Sequence, residues 1–240
     1  MAQSKEAYVV RSNDGGTITF YYDTKKSTHP SGYVYDIPSS GNTPDWAGTY
    51  EKPNETLTHV VFDESFNNYQ PTSTFQWFSN CQALIDITGI ENLNTSSVTD
   101  MSYMFSGCSG LTSLNLSNFN TSAVAYMYEM FRDCSGLKTI INTQTWRCEK
   151  SQDMFKGCTQ LKGAVKYDES KVDATMANPT TGYFTDPNRE YPKAYVLQSE
   201  DQHTLTFYYD NNRKLRSGKT WDIDEKSSSS KPVWAGTYEH

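Results

Sequence analysis

The sequence predicts an α/β fold: a short repeat solenoid of about five strands with short helical or 3₁₀ turns, flanked by small β-rich units. Three observations carry that expectation. A phrase of aromatic, cysteine and leucine recurs four times through the middle of the chain. In its second copy it runs into L-x-x-L-x-L, made by Leu111, Leu114 and Leu116. A longer stretch near the start recurs near the end.

The phrase reads Trp77-Phe78…Cys81…Leu84, then Met104-Phe105…Cys108…Leu111, Met130-Phe131…Cys134…Leu137 and Met154-Phe155…Cys158…Leu161. Its phenylalanines stand at 78, 105, 131 and 155, so the period runs 27, 26 and 24 residues. Leucine-rich repeats of one short strand and one helix or 3₁₀ turn have periods of this size. Met101, Met104 and Phe105 share one face at helical spacing, which predicts a short amphipathic turn in each repeat. Rung strands are expected at Leu84–Thr88, Leu111–Leu116, Leu137–Ile141 and Leu161–Val165. Leu57–Phe62 is expected to open the series, and its richer β-branching suits an atypical first rung. The connectors Asn94-Thr95-Ser96-Ser97-Val98 and Asn120-Thr121-Ser122-Ala123-Val124 supply Asn, Thr and Ser as caps ahead of each turn.

Before the repeats, Ala7–Arg11, Thr17–Asp23 and Gly32–Ile37 read as strands, with Asn13-Asp14-Gly15-Gly16 as a hairpin turn. Ala7–Asp23 recurs as Ala194–Asp210 with eleven of seventeen positions identical, and Trp46–Glu51 recurs as Trp234–Glu239. The expected organisation is an N-terminal β-rich unit over 1–56, the repeats over 57–188, and a second copy of the β-rich unit over 189–240. The second copy stops where its own repeats would begin, so a trimmed stretch of a longer protein is expected.

A net charge of −7 without a block of like charge disfavours a nucleic-acid partner, which needs clustered Lys and Arg. No apolar run reaches the roughly 18–20 residues that span a bilayer, and Met1-Ala2-Gln3-Ser4 starts no leader. Of the five cysteines, Cys81, Cys108, Cys134 and Cys158 share one repeat position and are expected to be a ladder of small, buried, reduced residues. Their spacing does not suit zinc, whose cysteine ligands come in close pairs. Cys148 lies off the ladder and is the better candidate for an exposed thiol.

The phrase N-T-S-x-V-x-x-M-x-x-M-F-x-x-C-x-x-L, carried by Asn94–Leu111 and Asn120–Leu137 and loosely by Lys150–Leu161, resembles the repeat of BspA-like leucine-rich repeat surface proteins. The resemblance extends over most of residues 7–188 and implies a bacterial extracellular or cell-surface protein that adheres to host or neighbouring-cell components. The third repeat departs from it, with Arg147-Cys148-Glu149-Lys150 where the connector should stand.

In a repeat of this kind the leucines point inward and the intervening residues outward. The candidate binding face is therefore Asp86, Thr88, Thr112, Ser113, Asn115, Lys138, Thr139 and Lys162: short, polar and nearly uncharged. Catalysis has no support. His29, His59, His203 and His240 form no His-Glu-x-x-His constellation, and there is no G-x-S-x-G elbow or phosphate loop. Asp222 and Asp224 read as surface residues, and Asp210-Asn211-Asn212, followed by Arg213, is a poor calcium loop. The expected function is a non-enzymatic surface binding or adhesion module, monomeric, without cofactor or metal, for a protein or glycan partner. The alternatives are a carbohydrate-binding accessory stacking sugars on Trp46, Trp77 or tyrosines, and a structural spacer of a larger secreted protein.

Overall fold

The structure, a computed structural model, describes residues 3–29, 31–38, 41–189, 193–200, 203–210 and 217–222. The second Trp-Ala-Gly-Thr-Tyr-Glu segment, with Asn211, Asn212, Arg213 and Asp224, lies outside these residues. The chain divides into two units, Met1–Pro187 and Asn188–His240.

In the first unit, β1 (Glu6–Arg11) and β2 (Thr17–Asp23) form an antiparallel hairpin, and β3 (Tyr33–Asp36) pairs with the other side of β1. The hairpin turns at Gly15, whose φ of 73° suits glycine, and its amide donates to the Ser12 carbonyl at 2.9 Å. Then β4 (His59–Phe62) joins β2 in parallel and β5 (Asp86–Thr88) joins β4, giving one sheet of order β3-β1-β2-β4-β5. A separate sheet holds β6 (Ser113–Asn115), β7 (Thr139–Ile141) and β8 (Phe184–Thr185), all parallel. The second unit contains β9 (Lys193–Gln198), β10 (Leu205–Asp210) and β11 (Lys219–Asp222) in the order β10-β9-β11.

This architecture corrects the fold expected from sequence. The protein is β-rich, with three small separate sheets, and no α/β leucine-rich repeat solenoid forms. Among the described residues there is no α-helix, only 3₁₀ turns at Lys26–Thr28, Glu64–Asn68, Ile90–Asn92 and Ala174–Met176. The rung expected at Leu161–Val165 is no strand: Lys162 forms an isolated antiparallel bridge with Lys166, and its amide donates to the Lys138 carbonyl. The connector asparagines make Asx turns instead of capping helices: Asn94 Oδ1 accepts from the Ser96 amide at 3.1 Å, and Asn120 Oδ1 from the Ser122 amide at 3.0 Å.

The reason lies in the turn that carries each phrase. Gln76, Tyr103, Glu129 and Asp153, one per repeat, are left-handed, with φ between 49° and 59°. Four residues on, Asn80, Gly107, Asp133 and Gly157 are left-handed again. An isolated left-handed residue stops a right-handed helix. Alternate amides then serve different partners. The amides of Trp77, Ser79 and Cys81 each bond the carbonyl three residues back, while those of Gln76, Phe78 and Asn80 donate to Ser102, Met104 and Ser106 of the next repeat. The same alternation links Tyr103, Phe105 and Gly107 to Tyr128, Met130 and Arg132, and then Glu129, Phe131 and Asp133 to Gln152, Met154 and Lys156. A helix would keep these amides to itself; here half of them join neighbouring turns.

Stacking the turns stacks their side chains. The Phe78, Phe105, Phe131 and Phe155 rings lie 5.6, 5.6 and 5.5 Å apart in sequence, all in stacked geometry. Parallel bridges run beside them from Ser73 to Asp100, Tyr126 and Lys150. The Phe155 end is closed by Tyr183, edge-on at 5.3 Å, and the Phe78 end by Phe20 at 6.0 Å. Leu114 is buried in β6, whereas Thr112 beside it is exposed. Leu114→Ala is expected to cost about 2–5 kcal/mol, and Thr112→Ala to stay within about 0.5 kcal/mol. Urea denaturation of both variants checks the assignment; equal losses would contradict it.

Candidate functional site

The stack presents two faces. On the strand face the Lys138 amide donates to the Thr112 carbonyl at 2.9 Å, and the Lys162 amide to the Lys138 carbonyl at 3.0 Å. Ser113 stands opposite Thr139 in the β6–β7 register. These contacts bring Thr112, Ser113, Asn115, Lys138, Thr139 and Lys162 together. Asp86 and Thr88 stand on the other sheet, where the Thr88 hydroxyl donates to Asp86 Oδ2 at 2.8 Å. Thr139 is half-buried and the other seven are exposed. Asp86, Lys138 and Lys162 enter none of the ion pairs among the described residues. Asn115 is held by its own backbone, accepting from the Ser117 amide at 3.2 Å.

The turn face was not singled out by the sequence reading. Here Thr43–Tyr50 and the stacked turns enclose a cleft of about 340 Å³, near the lower end of the ~300–1,000 Å³ typical of small-ligand sites. The left-handed residues Gln76, Tyr103 and Glu129 line it in a row, with Asn80 and Arg132 beside them. Tyr50, also lining the cleft, is 89% exposed. The Thr43 hydroxyl donates to Gln76 Oε1, and Arg132 Nη1 donates to Glu129 Oε2 at 2.9 Å. Partial burial raises the Tyr103 phenol above its usual pKa. Gly107 is needed in this row, because a Cβ there would stand 2.6 Å from Asn80 Oδ1. One sequence signal was available: Glu129-x-x-Arg132 and Asp153-x-x-Lys156 place an ion pair at the same point of successive repeats, and both pairs form.

All five cysteines are free. The thiols of Cys108, Cys134 and Cys158 each donate to the carbonyl of the phenylalanine one repeat earlier, at 3.0 Å in every case. Burial pushes the Cys81 and Cys158 thiols up to about 12 and raises Cys108 and Cys134 well above the ordinary value. Cys148 is half-buried beside a second, open cleft and donates to the Ala125 carbonyl at 3.4 Å. Thiolates alkylate and buried thiols ionise poorly, so Cys148 is expected to react first and the ladder only after denaturation. Peptide mass mapping after brief iodoacetamide treatment tests this, and early labelling of Cys108 would contradict it. The folded ladder keeps its protons above the usual thiol value of 9.0, so its contribution to stability is full below that pH and falls as pH climbs towards about 12.

Trp46 and Trp77, named above as sugar-stacking candidates, are both fully buried, and Trp46 Nε1 donates to the Trp77 carbonyl at 2.8 Å. Among the described residues no three or more His, Cys, Asp or Glu side chains gather closely enough to hold a metal ion, and no helix is long and apolar enough to cross a membrane. No curated protein and no solved structure matches the chain. Residues 61–182, just over half of its length and reaching from β4 to the start of the closing Gly182-Tyr183-Phe184, match the family model described as "Mycoplasma protein of unknown function, DUF285". The chain belongs to that family.

Proposed function

We propose that the protein is a non-enzymatic module of a bacterial cell surface that binds a protein or glycan partner through its strand face. The carrying observation is the row Thr112, Ser113, Asn115, Lys138 and Lys162: exposed, its lysines outside any described ion pair, and set on a backbone held by neighbouring repeats. Because the backbone under the row is already held by neighbouring repeats, a partner that binds there orders side chains alone and not the chain that carries them. The resemblance of the repeat phrase to BspA-like surface proteins supports the extracellular setting. The test is a glycan and matrix-protein array with the wild-type chain and a Thr112→Ala/Asn115→Ala/Lys138→Ala variant. At least tenfold weaker binding by the variant is expected. Equal signals from the two would sink the strand-face reading.

One observation favours a carbohydrate-binding accessory as second reading. Tyr50 stands almost fully exposed at the turn-face cleft, where an amphipathic ring beside Asn and Gln side chains suits a sugar. On that reading Tyr50→Ala removes glycan signals from the array while the triple variant retains them.

A further inference from the structure

The two β-rich units are copies in structure as well as in sequence. Tyr8 faces Tyr21 across the β1–β2 hairpin, and Tyr195 faces Tyr208 across β9–β10 in the same register. The rings stack alike, at 5.5 Å and 26° in the first pair and 5.4 Å and 21° in the second. On the far side Tyr8 pairs with Asp36 and Tyr195 with Asp222, so β3 and β11 also correspond. The copies part at one edge. In the first unit β2 is covered by β4; in the second, among the described residues, β10 is the edge strand of its sheet.

The side chains record the difference. Ile18 and Phe20 of β2 are fully buried, while their counterparts Leu205 and Phe207 of β10 are 37% and 60% exposed. Phe20 is covered by Phe62, stacked at 4.5 Å, and by Phe66, Trp77 and Phe78 of the repeats that follow. Large apolar side chains on an edge strand are a pairing surface, and the first copy shows what covers this one.

We propose that the β10 edge, with Leu205 and Phe207, is a docking surface for a second copy of the chain's own repeat segment. Its β4-type strand adds in parallel, Val60 opposite Leu205 and Phe62 opposite Phe207, as β4 adds to β2. The phenylalanine and tryptophan that follow then close over Phe207. This assembly step is independent of which ligand the strand face binds.

The test extends the full chain after residue 240 with a second copy of residues 54–187, which preserves the spacing between β2 and β4. Deuterium exchange is read at the amides of Leu205–Asp210. At least tenfold slower exchange is expected in the extended chain than in the original. Phe207→Lys in the extended chain is expected to restore fast exchange at β10 while leaving residues 7–187 unchanged. Equal exchange with and without the extension overturns the proposal, as does protection that survives Phe207→Lys.

Discussion

Phe20→Ala is expected to destabilise the first unit by about 3–5 kcal/mol, the range for removing a buried phenylalanine ring. Phe20 is the one residue of the N-terminal hairpin that meets the repeats through several rings at once: Phe62 at 4.5 Å, Trp77 at 5.1 Å and Phe66 at 5.4 Å, with Trp46 edge-on at 5.6 Å. Its removal leaves a cavity walled by large rings that are themselves fully buried, so collapse recovers little. The hairpin then loses its anchor on the stack, and the Trp46 and Trp77 indoles gain access to water. Equilibrium urea unfolding followed by tryptophan fluorescence measures the cost. A loss below 1 kcal/mol would show that the hairpin and the stack are held together elsewhere, through β2–β4 backbone pairing alone.

Phe131→Ala is expected to lower the melting temperature by on the order of 10 °C. The Phe131 ring lies between Phe105 at 5.6 Å and Phe155 at 5.5 Å, within 6° of parallel to each. One substitution thus removes two ring pairs and opens a gap inside the column. The half-buried Phe75, which meets Tyr103 at 5.8 Å, provides the contrast, and Phe75→Ala should shift the melt much less. Calorimetry on the two variants decides; shifts of equal size would mean that the column contributes no more than a surface ring.

The repeat spacing and the first hairpin were legible because each rests on local chemistry: one Asn-Asp-Gly-Gly turn, β-branched and aromatic strand residues and a recurring Phe-x-x-Cys; the second hairpin was legible as a copy of the first. The backbone inside each repeat was not. Met101, Met104, Phe105 and Cys108 satisfy a helical period and a stacked turn equally well, since both place them inward. Gly107 and Gly157 signalled the left-handed positions, Asn80, Asp133 and Asp153 did so more weakly, and Gln76, Tyr103 and Glu129 carry no such mark. Outward positions on the strands could be read from the leucines, and seven of the eight residues so named are exposed. That Asp86 and Thr88 belong to a different sheet from Ser113 and Asn115 could not, because no residue type announces a break between sheets. The cleft escaped because its wall at 43–50 comes from a loop far from the turns in sequence.

The alternation of amides gives each turn a parity. From Thr74 to Cys81 every second amide belongs to the neighbour and every other one to the turn itself, and the neighbour-bonded set recurs at Tyr103, Phe105 and Gly107 and at Glu129, Phe131 and Asp133. Inserting one residue would exchange the two sets and aim the phenylalanine away from its column. Inserting two would restore the sets but break the four-residue spacing of the left-handed positions. The repeats differ in length, with periods of 27, 26 and 24 residues, yet Phe-to-Cys is three residues in all four. The odd and even changes alike fall in the segments between turns, where no such count is kept. Length variation in this protein is thus confined by arithmetic: the connectors differ in length from repeat to repeat, while the turns keep one count.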